Sequence, residues 1–204
     1  MSQQTTEPKL GETFSAAMNF AADAHRTQVR KGGDIPYLGH LLSVAGLVIE
    51  AGGTETEAIA ALLHDAAEDA GGEATLNEIR ESFGGEVARI VSECSDTFQT
   101  PKPPWKQRKQ AYIDHVGLAS DGAVLVSLAD KLDNARAILR DLRREGDGLW
   151  ERFSVNDPGE HLWYYRTLLA TFERRRPDCW MVAELRRVIE AWSREVHKAS
   201  AAST

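Results

Sequence analysis

Basic charge, cysteine and long apolar runs are all scarce in this chain. Its 24 Lys and Arg are outnumbered by 31 Asp and Glu, for a net charge of −7. An acidic surface of this kind does not favour nucleic acid or an anionic membrane, so a phosphate-rich ligand needs a local basic pocket. Only two cysteines occur, Cys94 and Cys179, far apart and without zinc-site spacing. That excludes a disulfide framework, points to a reducing cytoplasmic setting, and casts both as small buried hydrophobes. No apolar run approaches the length of a membrane span. Met1 to Thr6 is polar, without the apolar core of a signal peptide. The chain does have 204 residues, 42% hydrophobic and 27% charged, which suits a globular protein with a sizeable core.

The apolar pattern is helical nearly throughout. Phe14, Ala17, Met18, Ala21, Ala22 and His25 recur at spacings of three and four, giving a first helix that ends near Gln28. Gly32, Gly33 and Pro36 make the following stretch a loop. A second helix is expected from about Gly39 to Ala51, stopped by Gly52-Gly53. Thr54 and Glu57 offer a capping box for a third, Glu55 to Asp69, and Thr75 with Glu78 offers another for a short helix ending at Gly84-Gly85. Further helices are expected over Glu86–Ser95, Trp105–Val116, a long amphipathic Val124–Leu142, Glu160–Arg174 and Asp178–His197, with breaks at Thr100–Pro104 and Gly146–Gly148. No strand and no repeat is evident. The expected fold is all-α: one helical-bundle domain over 1–204, its core at about 12–175, a C-terminal helix at about 178–197 and a frayed tail at 199–204.

One dipeptide stands out. His64-Asp65 sits in the apolar run Ala60-Ala61-Leu62-Leu63-His64-Asp65-Ala66-Ala67-Glu68-Asp69, where both are costly to bury unpaired. Glu68 and Asp69 follow each of them by four residues, one helical turn along the same faces. His40 lies upstream, and Asp130 lies downstream within the long helix. Imidazole nitrogen and carboxylate oxygen together suit a divalent ion, and a carboxylate beside it can orient water. Asn134, four residues after Asp130, shares its face. Taken singly these residues are unspecific: Glu68 and Asp69 could be a solvated helix end, and Asp130 could pair with Lys131 or Arg136. Their joint occurrence on helical stretches points to a metal site.

Several strings carry a resemblance: Ala24 to Lys31, Pro36 to His40, Ala61 to Asp69, Phe83-Gly84, and Leu128-Ala129-Asp130-Lys131-Leu132-Asp133-Asn134. In order and approximate spacing they resemble the HD-domain superfamily, and within it the hydrolase domain of RelA/SpoT-type proteins and the stand-alone small alarmone hydrolases. The resemblance covers roughly residues 14 to 175. It implies a helical domain that uses one Mn²⁺ to remove the 3′-pyrophosphate of guanosine tetra- or pentaphosphate. It also implies His40, His64, Asp65 and Asp130 as metal ligands, and Glu68 and Asp69 as the groups that align and activate water. Arg30 and Lys31 would face the substrate, and Asn134 would contact its sugar or phosphates.

Beyond the resemblance, Tyr37 is a candidate to stack on the base or to wedge the loop into the core. The basic stretch Pro101 to Lys109, through Lys102 and Lys106, is a candidate outer phosphate clamp. Two departures leave the base open: Ser127 stands where the family often has Lys, and Cys94-Ser95 where it often has Val-Thr. The adenine analogue of the alarmone therefore stands as an alternative substrate. The alternatives are another HD-type reaction, on a 5′-nucleotide or a phosphodiester, and a non-catalytic nucleotide-binding module. His115, His161 and His197 read as surface or packing residues, and Trp150, Trp163, Trp180 and Trp192 as helix-packing ones. Tyr164 or Tyr165 is expected to line a cleft. The expected partner is a small nucleotide, with no nucleic acid or membrane, and the oligomeric state is not legible.

Overall fold

The computed structural model describes residues 9–97 and 101–202. Ten α-helices account for most of them: α1 (Glu12–Ala24), α2 (Leu38–Glu50), α3 (Glu55–Leu63), α4 (Ala66–Ala70), α5 (Glu73–Phe83), α6 (Gly85–Cys94), α7 (Trp105–Leu118), α8 (Asp121–Glu145), α9 (Pro158–Arg175) and α10 (Trp180–Ala202). Among the described residues there is no strand, only an isolated bridge between Val29 and Pro36 that closes the loop after α1. The fold is all-α.

Local side-chain caps start three of these helices, α3, α8 and α9. The box at Thr54 forms: Glu57 N–H donates to Thr54 Oγ1 at 3.3 Å, and Thr54 N–H donates to Glu57 Oε2 at 2.7 Å. Ser120 caps α8, accepting from Ala123 N–H, and Asp157 caps α9, accepting from Gly159 N–H beside Pro158. Helix α8 is the axis of the molecule. It packs against α2, α3, α6, α9 and α10, and Val124, Leu128, Leu132 and Ala135 on it are fully buried. Around it Leu41, Leu62, Leu63, Phe172 and Trp192 join one continuous apolar cluster. Each fully buried Leu there contributes on the order of 2 kcal/mol.

The structure departs from the sequence-based expectation in several places. Glu55 to Asp69 is not one helix: the chain pauses at His64-Asp65 between α3 and α4. Both residues keep near-helical backbone, but the Asp65 carboxylate turns toward His64 and Tyr37, so polar contacts override the apolar period. Thr75 and Glu78 do not cap a helix. Gly71 and Gly72, both at positive φ, let the chain turn early, so α5 begins at Glu73 and Thr75 is buried inside it. Gly146, also at positive φ, ends α8, but a 3-10 turn, Gly146–Arg152, continues from it. Helix α1 stops at Ala24, short of Gln28, and α10 runs on to Ala202 through most of the expected tail. Residues 1–8, 98–100 and 203–204 lie outside the described part, and so do the expectations that fall on them. Trp150 and Trp192 are buried packing residues, but Trp180 is 42% exposed.

Candidate metal centre and active-site cleft

His40 enters from the first turn of α2, His64 and Asp65 from the break between α3 and α4, and Asp130 from the middle of α8. His40, His64 and Asp65 place ligand atoms within 4.8 Å of one another. Asp130 Oδ1 lies 3.2 Å from His40 Nε2 and 3.8 Å from His64 Nε2, and Asp65 Oδ2 lies 3.0 Å from His64 Nε2. The far side of each imidazole is tied down. His40 Nδ1 meets Asp133 Oδ2 at 2.6 Å, and His64 Nδ1 meets the Ala61 carbonyl at 2.8 Å. Both Nε2 atoms are buried and, despite the nearby carboxylates, make no aligned hydrogen bond. Buried polar atoms in that state are costly unless something else satisfies them. A divalent cation does so, and the mixed imidazole and carboxylate donor set fits one.

The surrounding charges favour the ionised form of each group in this cluster. Burial opposes charge on His40 and His64, but Asp130, Asp133 and Asp65 outweigh it and keep both imidazoles above the ordinary histidine range. Burial likewise opposes charge on Asp65 and Asp130. For Asp65 the His64 ring outweighs it, and for Asp130 the adjacent Lys131 ammonium does, so both carboxyls lie below their usual range. Lys131 donates to Asp130 Oδ2 at 2.5 Å and Asn134 donates to Asp130 Oδ1, so the carboxylate is clamped from both sides. Tyr37 donates its hydroxyl to Asp65 Oδ2 at 2.5 Å, while its ring stacks on His25.

The cluster borders a cleft of about 530 Å³, which Asp65 and Asp130 line. Asp69 sits on its wall, accepting from Gln28 Nε2 at 2.8 Å; Gln28 is itself bonded to His25. Burial, reinforced by the charges of Asp65 and Glu68, raises the Asp69 pKa against the pull of Gln28. Glu68 accepts from the Asp96 N–H at 3.0 Å and from Lys102 Nζ at 2.8 Å. Arg30 and Lys31 line one side of the cleft, and Lys102, Arg108 and Lys109 line another. Two patches of positive charge therefore lie in one cleft of an acidic protein.

A profile described as the HD domain matches residues 17–157. The chain belongs to the HD-domain family. The guanosine-3′,5′-bis(diphosphate) 3′-pyrophosphohydrolase MESH1 of Xenopus tropicalis is 43% identical to it over 144 residues, 69% of this chain and 75% of that protein. MESH1 of Homo sapiens is 40% identical over the same share of each. A solved structure described as a metazoan ortholog of SpoT that hydrolyzes ppGpp aligns with a TM-score of 0.70 at 28% identity, covering 91% of this chain and 97% of that one.

In this HD-domain protein the fold brings most of the expected site residues together. Arg30, Lys31, Tyr37, Asp65, Glu68, Asp69, Lys102, Asp130 and Asn134 all line the cleft, with His40 and His64 buried directly behind it. Lys106 is the exception: it pairs with Glu160 and lies 3.4 Å from the centroid of the Trp163 ring. Tyr37 is committed to Asp65 and His25, which favours the wedge over the base-stacking role. Both Tyr164 and Tyr165 line the cleft. So does His161, held by the Val155 carbonyl among Trp105, Trp150 and Phe153. Sequence reasoning also passed over Gln28, Asp96 and Asp133. Asp133 alone carried a signal, its place three residues after Asp130 on the same helix face. The two departures from the family pattern meet in space: Ser127 is buried, accepts from the Tyr112 hydroxyl at 3.0 Å and contacts Cys94. Burial pushes the Cys94 thiol up to about 11, so it faces the cleft as an inert thiol. Ser95 turns its hydroxyl back to the Val91 carbonyl.

Proposed function

We propose that this protein is a metal-dependent pyrophosphohydrolase that removes the 3′-pyrophosphate of an alarmone nucleotide, (p)ppGpp or its adenine analogue (p)ppApp. The observation that carries the reading is the convergence, in one cleft, of the buried His/Asp cluster, the Glu68-Asp69 pair and basic side chains on two sides. A volume of about 530 Å³ suits a nucleotide-sized ligand. The similarity to the MESH1 proteins supports the same substrate class.

His40, His64, Asp65 and Asp130 would hold one Mn²⁺. When bound, that ion supplies positive charge that polarises a phosphoryl oxygen and lowers the pKa of water. The chain's own residues do the rest. Asp69, its pKa raised by burial, is suited to accept the proton of the attacking water. Glu68, fixed by Lys102 and the Asp96 amide, orients that water. Water adds to the phosphorus attached to O3′, the P–O3′ bond breaks, O3′ takes up a proton, and pyrophosphate leaves. Arg30, Lys31 and Lys102 bind the phosphates, Arg30 through its planar fork. Asn134 keeps Asp130 aimed at the histidines and presents its amide to the substrate. The shared apolar core supports reading the chain as one hydrolase domain. No described helix is long and apolar enough to cross a membrane, and two free cysteines suit a cytoplasmic location.

The test is hydrolysis of guanosine and adenosine 3′-pyrophosphates with added Mn²⁺, products separated by chromatography, against a His64→Ala/Asp65→Ala control. Metal-dependent pyrophosphate release that the control lacks is the expected result, and the relative rates assign the base. Absence of release from both nucleotides, in protein shown to bind Mn²⁺, rejects the reading.

A further inference from the structure

We propose that Asp133 is a positioning residue that couples the metal-facing imidazole of His40 to the phosphate-facing guanidinium of Arg30. The inference deepens the reading above and rests on it for the roles of those two partners. Asp133 lies one turn after Asp130 on the same face of α8. Its Oδ2 sits 2.6 Å from His40 Nδ1 and 3.8 Å from a terminal nitrogen of Arg30. The His40 side chain is fully buried, while those of Asp133 and Arg30 are about one-fifth exposed. One carboxylate thus bridges α8, the first turn of α2 and the loop after α1.

Two consequences follow. In the neutral ring, with Nδ1–H donated to Asp133, the lone pair of His40 lies on Nε2, the atom that faces Asp65 and Asp130. His64 gets the same orientation from a neutral carbonyl, that of Ala61. His40 alone has a charged partner, which makes the stronger hydrogen bond and raises the basicity of the ring as a ligand. Arg30 at 3.8 Å is held by charge without a close hydrogen bond, so its donors stay available to a phosphate. Loss of Asp133 therefore reaches both the metal and the substrate.

The test uses Asp133→Ala and Asp133→Asn in the full chain, with thermal midpoints confirming that each is folded. Mn²⁺ alone is titrated in competition with a chromophoric chelator, a readout that needs no turnover. Asp133→Ala is expected to weaken Mn²⁺ binding about 10- to 100-fold. Asp133→Asn keeps an acceptor oxygen without the charge and should fall between it and wild type. At saturating Mn²⁺, Asp133→Ala should raise the nucleotide KM more than it lowers kcat, and adding Arg30→Ala should raise KM less than it does in wild type. Mn²⁺ affinity within twofold of wild type in both variants overturns the proposal. If wild-type protein releases no pyrophosphate, the proposed reaction fails, but the Mn²⁺ titration still decides the role of Asp133 toward His40.

Discussion

Metal binding at the His/Asp cluster is expected to expel protons and to strengthen steeply with pH. Without metal, burial is outweighed by Asp130, Asp133 and Asp65, and the His40 and His64 pKa values lie above 6.5. A cation needs the Nε2 lone pair of each ring, so both must be neutral. The carboxylates add no proton to this count, because those of Asp65 and Asp130 lie below the usual range. Burial and the Asp65 charge keep the Tyr37 phenol protonated, as a donor. Below the raised histidine range, two protons leave per ion bound. Affinity then climbs about 100-fold per pH unit, roughly 2.7 kcal/mol. The slope falls to zero above that range, and the two rings, 5.4 Å apart, titrate as a pair. Stability of the metal-free protein runs the other way. The raised histidines stabilise the fold fully below 6.5, and this is lost as pH rises through their folded values. The lowered carboxylates stabilise it above 3.8, and this is lost as pH falls through theirs. The stabilising increment from Mn²⁺ should therefore grow with pH. Calorimetric Mn²⁺ titrations from pH 6 to 9, in buffers of different ionisation enthalpy, count the protons. An affinity flat across that range, with no proton released, refutes the reasoning.

Three further outcomes are expected. Asp69→Asn should lower kcat by about 10²- to 10⁴-fold while the Mn²⁺ titration stays close to wild type, because the residue acts on water and not on the ion. Gly32→Ala should raise the substrate KM: Gly32 has φ +78°, and an added Cβ would overlap Arg152, which Asp141 and Glu145 hold in place, so the Arg30-Lys31 loop must move. Arg175→Ala should cost about 2–3 kcal/mol in denaturant unfolding, since its guanidinium donates to the carbonyls of Val116, Gly117 and Ala119 at the end of α7 and to Asp121.

Helices were legible because their signals are local. The Thr54/Glu57 box, the Gly52-Gly53 stop and the three-and-four spacing along α8 depend on neighbours within one or two turns. The break at His64-Asp65 was not, because the apolar period runs straight through it; what interrupts the helix is the pull of Tyr37 and the surrounding imidazoles. The early start of α5 was missed because two glycines at positive φ outweigh a polar cap that Thr75, being buried, does not provide.

The same division holds at the site. By itself, the sequence determined the all-α class, the HD-type residue set and the need for a local basic pocket in an acidic chain, since composition and short spacings carry all three. Only tertiary structure decided which chemically equivalent side chains meet. Lys102, ahead of α7, reaches Glu68 in the cleft, while Lys106, four residues further on, is drawn off to Glu160 and the Trp163 ring. Asp133 reaches His40 across 93 residues of chain. Such pairings depend on how α8 packs against α2 and the loop after α1, and that packing is set by buried apolar surface, which carries no local record of which polar groups it will bring together.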